Sequence, residues 1–213
     1  MIRAILWDND GILVDTERLY FRATRQILGT VGVNLTETMY FDLFLVQAKG
    51  AWHLAEANGI SFARIEQLRA ERHALYLKFL QTESMVIPGV EEVLKTLYGK
   101  YVMGVVTSSL REHFDAIHRR SRLMKYFAFT LTAEDYTKFK PDPEPYLAAV
   151  KRTGFSGEEC IAIEDSERGL NAAVNAGLKC IVIPTDLTQS ASFRGAYKIL
   201  NNVREIPSLL SSI

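Results

Sequence analysis

The sequence is poor in cysteine. Its 213 residues include two, Cys160 and Cys180, at a spacing that makes neither a zinc pattern nor a redox pair. Each opens an apolar run and reads as a small core residue, and little here suggests an oxidising compartment. An excess of charge of either sign is missing as well. The 25 basic residues balance 25 acidic ones, which leaves no electrostatic footprint for nucleic acid. The densest basic run, His118, Arg119, Arg120 and Arg122, reads as a solvated helix face, with His118, like His113, a surface or core residue of its helix. No apolar run is long enough to cross a bilayer, so no membrane partner is expected. The first residues reach Asp8 too soon for the apolar region of a secretory leader. Internal repeats and low-complexity segments are absent. These absences together lead to the expectation of a cytoplasmic protein, and nothing in the sequence requires a partner subunit, so a monomer is expected.

What is present is ordinary for a globular chain: 48% hydrophobic and 23% charged residues exclude disordered and fibrous classes. The length suits one domain with a sizeable insertion, or a core plus a small cap. Short apolar runs alternate with longer segments of helical period. Strands are expected at 4–7, 102–106, 127–131, 161–163 and 181–183, with a weaker one at 197–200; such apolar runs suit strands buried on both faces. Helices are expected at 90–98 after Pro88-Gly89, at 143–152, and at 169–176, the last stopped by Gly177. This alternation predicts an α/β fold with a parallel, Rossmann-like sheet and helices on both faces. From Thr16 to about Val86 the alternation stops. Helical patterns run at 17–28, with Thr16 as a candidate cap, and at 36–46, 51–57 and 62–81, with Asn58-Gly59 as a turn. The expected organisation is a catalytic core of residues 1–15 and 87–213, with residues 16–86 inserted as an all-helical cap.

In an open parallel sheet, ligands bind at the carboxyl ends of the strands. The residues that close the strand candidates are Asp8 and Asp10, then Thr107 and Ser108, then Glu164 and Asp165. Four carboxylates near one edge repel one another, so either some hold protons or a cation holds them together. Magnesium, which takes oxygen ligands and is completed by substrate phosphate, is the natural candidate. A carboxylate is also a covalent nucleophile toward phosphorus.

The order of these residues carries a resemblance. The run Ile5-Leu6-Trp7-Asp8-Asn9-Asp10-Gly11-Ile12-Leu13-Val14-Asp15-Thr16 is a strand leading into D-x-D-G-x-L-x-D-T. It is followed by Val105-Val106-Thr107-Ser108-Ser109, by Lys140-Pro141-Asp142-Pro143-Glu144-Pro145-Tyr146, and by Ile161-Ala162-Ile163-Glu164-Asp165-Ser166-Glu167-Arg168-Gly169. Four motifs in this order resemble the haloacid dehalogenase superfamily over nearly the whole chain. The position of the helical insertion is similar to that in the subgroup of beta-phosphoglucomutase and phosphoglycolate phosphatase.

The resemblance implies a mechanism. Asp8 would attack the substrate phosphorus, and Asp10 would protonate the leaving oxygen and then deprotonate the water that cleaves the aspartyl-phosphate. Magnesium would be held by Asp8, the Asp10 carbonyl and Asp165, with Glu164 as a ligand or a neighbour of the ligands. Thr107, Lys140 and the backbone amides of Asn9, Asp10 and Ser108 would bind the phosphoryl group. Lys138, two residues earlier, competes with Lys140 for that role. The carboxylate at Asp10 points to phosphatases and phosphomutases, because relatives that dehalogenate carbon substrates lack it. In the insertion, the stretch 47–53 supplies candidate substrate contacts, Lys49, Gly50, Trp52 and His53, with Trp52 as a core residue of the cap the competing reading. A mutase carries an arginine just after this glycine; Trp52 and His53 stand there instead. The expectation is a magnesium-dependent phosphatase acting on a small phosphorylated molecule, such as a sugar phosphate, with a sugar phosphomutase as the alternative. A receiver-type phospho-aspartate switch is the alternative of another class, and the acidic pair following Lys140 argues against it.

Overall fold

The computed structural model describes every residue except Ala48 and Ser84, and the backbone alone at Leu45. In chain order the elements are β1 (Ala4–Trp7), α1 (Glu17–Gly29), α2 (Glu37–Tyr40), α3 (Trp52–Ala57), α4 (Phe62–Thr82), α5 (Val90–Leu97), β2 (Val102–Val106), α6 (Arg111–Ser121), β3 (Phe129–Leu131), α7 (Glu144–Thr153), β4 (Cys160–Glu164), α8 (Glu167–Asn175), β5 (Lys179–Val182), β6 (Lys198–Ile199) and α9 (Ile206–Leu210). They fall into two compact units, Met1–Asp15 with Ser84–Ile213, and Thr16–Glu83.

The first unit is a six-stranded parallel sheet in the order β3-β2-β1-β4-β5-β6. The chain starts in the middle, winds outward through β2 and β3, then returns to the other side of β1 as β4. The direction of winding therefore reverses at β1, which places a crevice beyond the carboxyl ends of β1 and β4. Leu6 stands opposite Gly104 on one side and Ala162 on the other. Ala4, Leu6, Cys160, Ala162, Cys180 and Val182 pack with Tyr146 and Ala149 of α7 and with Leu170 and Ala173 of α8. The pleat sends Ile5, Trp7, Ile161 and Ile163 to the opposite face, and these too are fully buried. Burial on both faces is why these strands read as continuous apolar runs. β6 is different: both of its residues are exposed at the sheet edge, so its run is short and weak. Both cysteines are free and buried in the strands, in keeping with a role as small core residues.

The return to the first unit falls after Glu83, rather than after residue 86. The reason is a short antiparallel contact. Asp15 N–H donates to the Met85 carbonyl at 2.8 Å, Ile87 N–H donates to the Leu13 carbonyl at 3.1 Å, and Val14 bridges Val86. Those bonds tie Met85–Ile87 to the segment that follows β1.

The second unit is helical throughout its regular elements among the described residues. Ile27, Leu28, Leu35, Tyr40, Trp52, Ile65 and Leu68 form its core. The expected helix at 36–46 is two pieces. Thr36 caps α2 by accepting the Met39 N–H at 3.2 Å, and the chain then widens into a π-helical segment, Phe41–Val46. Across that junction the rings of Tyr40 and Phe44 stack at 4.5 Å. Thr16 precedes α1 but makes no side-chain capping bond, because its own backbone is already helical. Asn58 and Gly59 end α3 as the turn signal predicts. Gly59 takes φ +79°, Gly59 N–H donates to the Glu56 carbonyl and Ile60 N–H to the Ala55 carbonyl, the paired bonds of a glycine stop. Among the described residues no helix is long and apolar enough to cross a membrane.

Candidate active site

The site begins where β1 ends. Asp8 N–H donates to the Ile163 carbonyl at 2.9 Å, so the β1–β4 ladder continues one residue past the strand and delivers Asp8 beside Glu164. The chain then folds tightly. The Asn9 carbonyl accepts the N–H groups of Leu13 at 2.8 Å and Val14 at 3.1 Å, and Gly11 N–H donates to the Val14 carbonyl. Gly11 sits at φ +83°, and a Cβ there would overlap the Asp165 carboxylate. Glycine is required both by the left-handed backbone and by the close approach of Asp165.

Lys140 is the centre of charge. Its Nζ donates to Asp8 Oδ1 at 2.7 Å, Glu164 Oε1 at 2.6 Å and the Val106 carbonyl at 2.9 Å. Its three donors are thereby used in a buried position. The Arg168 guanidinium donates to the Lys140 carbonyl at 3.0 Å, which ties the lysine backbone to α8. Lys138 goes elsewhere: its side chain is 69% exposed and lies 3.7 Å from Asp142. Of the two lysines, Lys140 is the one that reaches Asp8 and Glu164. Glu164 is fully buried and also accepts the Tyr146 hydroxyl at 2.6 Å.

Asp10 is held from the β2 side. Its Oδ2 accepts Ser109 Oγ at 2.7 Å and Thr107 Oγ1 at 3.2 Å, while Thr107 Oγ1 accepts the Ser109 N–H at 3.0 Å. The Thr107 carbonyl accepts the Tyr136 hydroxyl at 2.6 Å. Ser108 follows Thr107 with its surface exposed.

One oxygen from each of Asp8, Glu164 and Asp165 lies within 4.8 Å of the others. Against these three carboxylates the buried contacts supply one cation, Lys140. Burial, reinforced by the charges of Glu164 and Asp10 and opposed by Lys140, pushes the Asp8 carboxyl up to about 8. The lysine responds in kind. Burial works against its charge, but Asp8 and Glu164 outweigh that and hold the ammonium well above its ordinary range. A cluster of hard oxygen donors with surplus negative charge fits a divalent cation.

The structure thus brings together Asp8, Asn9, Asp10, Thr107, Lys140, Glu164 and Asp165 at one end of the sheet. In the helical unit, Trp52 is 8% exposed and lies in the core, the packing reading rather than that of a substrate contact. Lys49 is exposed, Gly50 takes φ +73° and His53 is half-buried; Ala48 of the same stretch lies outside the described residues. Sequence reasoning missed Ser109, Tyr136 and Tyr146, whose hydroxyls bond the site from α7 and from loops. It read the basic run as a solvated face and left His118 as either a surface or a core residue of its helix, with no link to the site. Arg119, Arg120 and Arg122 are exposed there, but His118 is buried and bonds Asn9 Oδ1 through Nε2 at 2.7 Å. Helix α6 has Phe114, Ala116 and Ile117 buried as well, so His118 continues the apolar side of that helix, a signal the basic run obscured.

A family model described as haloacid dehalogenase-like hydrolase matches residues 5–183. YhcW of Bacillus subtilis, provisionally designated a phosphatase, is 31% identical over 211 residues, covering 97% of this chain and 94% of YhcW. The phosphorylated carbohydrates phosphatase of Thermotoga maritima is 31% identical over 183 residues, 84% of each chain. A Thermotoga maritima crystal structure, provisionally designated a beta-phosphoglucomutase, superposes with a TM-score of 0.82 at 28% identity, covering 100% of both chains.

Proposed function

The chain belongs to the haloacid dehalogenase-like hydrolase family, and from that membership we propose that it is a magnesium-dependent phosphatase of small phosphorylated carbohydrates. It is a phosphoric monoester hydrolase in this reading, and Asp8 is its nucleophile. The observation that carries the proposal is the convergence of Lys140 Nζ on Asp8 Oδ1 and Glu164 Oε1 beside the three-carboxylate cluster. That arrangement prepares one carboxylate for phosphorus and leaves negative charge for a cation to balance. The likeness to a carbohydrate phosphatase supports the substrate class.

Asp8, Glu164, Asp165 and the Asp10 carbonyl would hold magnesium, which when bound neutralises phosphoryl charge and favours the ionised form of Asp8. Asp8 then attacks phosphorus, and an aspartyl-phosphate forms as the alcohol oxygen leaves. Asp10 gives that oxygen its proton and takes one from the water that hydrolyses the intermediate. Thr107 and Ser109 fix Asp10 through Oδ2, so the proton is carried by an oriented carboxyl. Lys140 balances the charge of Asp8 and of the phosphoryl oxygens. The backbone amides of Asn9, Asp10 and Ser108 complete the phosphoryl cradle, and the Thr107 hydroxyl joins it by turning its one proton from Asp10 Oδ2 to the phosphoryl group, with Ser109 Oγ still holding that carboxyl. The helical unit is assigned the role of a cap, with Lys49, Gly50 and His53 as substrate contacts. Two free buried thiols accord with a cytoplasmic setting.

The test is phosphate release with magnesium across a panel of sugar phosphates, with Asp8→Asn as control. Release that disappears in Asp8→Asn is expected; full release by that variant would remove Asp8 from the mechanism. An isomeric sugar phosphate in place of free phosphate would instead identify a phosphomutase that uses the same nucleophile.

A further inference from the structure

Between the nucleophile and the acid–base residue stands Asn9, fully buried. Its backbone carbonyl gathers the N–H groups of Leu13 and Val14, so Asn9 anchors the whole turn from Asp8 to Val14. Its side chain is held by one residue from a distant part of the chain. His118, 7% exposed near the end of α6, meets Asn9 Oδ1 with Nε2 at 2.7 Å. On the other side of the ring, Nδ1 meets Ser121 Oγ at 2.8 Å. Asn9 Oδ1 can only accept, so Nε2 must be the donor of that bond, and the bare Nδ1 takes the Ser121 hydroxyl proton while Ser121 Oγ accepts the Leu123 N–H at 3.2 Å. The ring then carries its proton on Nε2 and donates it to the Asn9 oxygen. Burial, opposed by the charge of Asp10, pushes the imidazole down to about 4, which keeps the ring neutral near pH 7.

A polar pair inside a core costs desolvation that two apolar residues would avoid. Here the cost is compounded, because Asn9 Nδ2 is buried without a hydrogen-bond partner among the described residues. What the pair gives in return is direction: a bond of fixed donor and acceptor holds the residue next to Asp8 in one orientation. Packing alone does not do that. We propose that His118 is a positioning residue of the phosphoryl-transfer site, holding the Asp8–Asp10 turn in its reactive geometry through Asn9. The inference rests on the proposed use of Asp8, Asp10 and the Asn9 amide. His118 itself touches neither substrate nor reacting atoms, and it exchanges no proton.

The experiment compares His118→Leu, His118→Gln, Asn9→Leu and the double variant with wild type in magnesium-dependent phosphate release. A displacement of about 1 Å in a reacting group can cost on the order of a hundredfold in rate, so His118→Leu is expected to lower kcat at least about tenfold while KM changes far less. His118→Gln, whose amide reaches the place of Nε2, is expected to recover most of that loss. The double variant is expected to be no worse than either single one, because both remove the same bond. Additive losses, or a His118→Leu enzyme with wild-type kcat, would overturn the proposal. Should His118→Leu fail to fold, Ser121→Ala removes the orienting proton without altering the core volume. It is expected to lower kcat in the same sense, and an unchanged kcat would count against the proposal. Imidazole 15N shifts of the wild-type protein give a readout that needs no substrate. A protonated Nε2 and bare Nδ1 are expected, and the opposite tautomer would overturn the proposal even if phosphatase activity were established. Absence of any wild-type turnover, with the expected tautomer present, would count against the proposed function alone.

Discussion

Gly169, in the first turn of α8, leaves the space that the Glu164 carboxylate occupies. A Cβ at Gly169 would overlap Glu164 Oε1, Cδ and Oε2, and Ser166 caps the helix at that same point by accepting the Gly169 N–H at 3.1 Å. Alanine in a helix is normally favoured over glycine by about 1 kcal/mol. At this position the methyl group must displace Glu164, and with it a bond to Lys140. Gly169→Ala is therefore expected to be destabilised by about 1–3 kcal/mol, the usual cost of overpacking, and to lose turnover. Urea denaturation and phosphate release check this. A variant as stable and as active as wild type would show that Glu164 has room to move without consequence.

Lys140 and Lys138 offer a direct contrast. Removing Lys140 as Lys140→Ala leaves Asp8 and Glu164 buried without their shared cation. Breaking a buried ion pair in this way costs about 3–5 kcal/mol. Lys138 is mostly exposed and its contact with Asp142 is long, so Lys138→Ala is expected to stay within about 0.5 kcal/mol of wild type. Equal effects in parallel denaturation curves would contradict the assignment of Lys140 to the site.

Strands β1 and β2 coincide with their apolar runs because strands buried on both faces leave no other pattern. The ends of β1, β2 and β4 also announced Asp8, Thr107 and Glu164. The choice between Lys138 and Lys140 was not legible, since it depends on where the loop after Tyr136 turns, and long-range bonds such as Arg168 to the Lys140 carbonyl decide that. His118 was hidden for another reason. Its neighbours Arg119 and Arg120 are solvated, and one charged run covers two faces of the same helix. Helix α9 was missed because it is only five residues long, too short for a period to show. Tyr146 stood in the lysine motif without a role of its own; that its hydroxyl reaches Glu164 follows from the packing of α7 against the sheet.

The Asp8 carboxyl ties stability to pH in the absence of metal. Its folded value, about 8, lies above the ordinary 3.8. Between those values the folded protein keeps a proton that the unfolded chain has released. The contribution is therefore fully present below about pH 4 and is lost as pH rises to 8, at up to about 1.4 kcal/mol per pH unit. Asp8→Asn has no such proton. Urea titrations in chelator from pH 5 to 9 are expected to show wild type losing stability relative to Asp8→Asn up to about pH 8, with a constant difference above it. Parallel profiles throughout would mean that Asp8 is already ionised in the metal-free fold.

Magnesium should reverse that trend. To bind at Asp8, Glu164 and Asp165 the cation must displace the proton on Asp8, so its affinity is expected to rise with pH and to level off above about 8. A cation present at a hundred times its dissociation constant stabilises the folded state by about 2.7 kcal/mol. The thermal shift produced by a fixed magnesium concentration is thus expected to be small at pH 6 and to grow through pH 8, opposite in sign to the metal-free slope. Asp165→Asn removes one ligand without touching the Lys140 contacts. It is expected to abolish the magnesium shift while leaving the metal-free pH slope in place, because that slope arises from the burial of Asp8. If Asp165→Asn kept the full magnesium shift, the cation would be bound somewhere other than at this carboxylate cluster. If it flattened the metal-free slope instead, Asp165 rather than burial would be what holds the proton on Asp8.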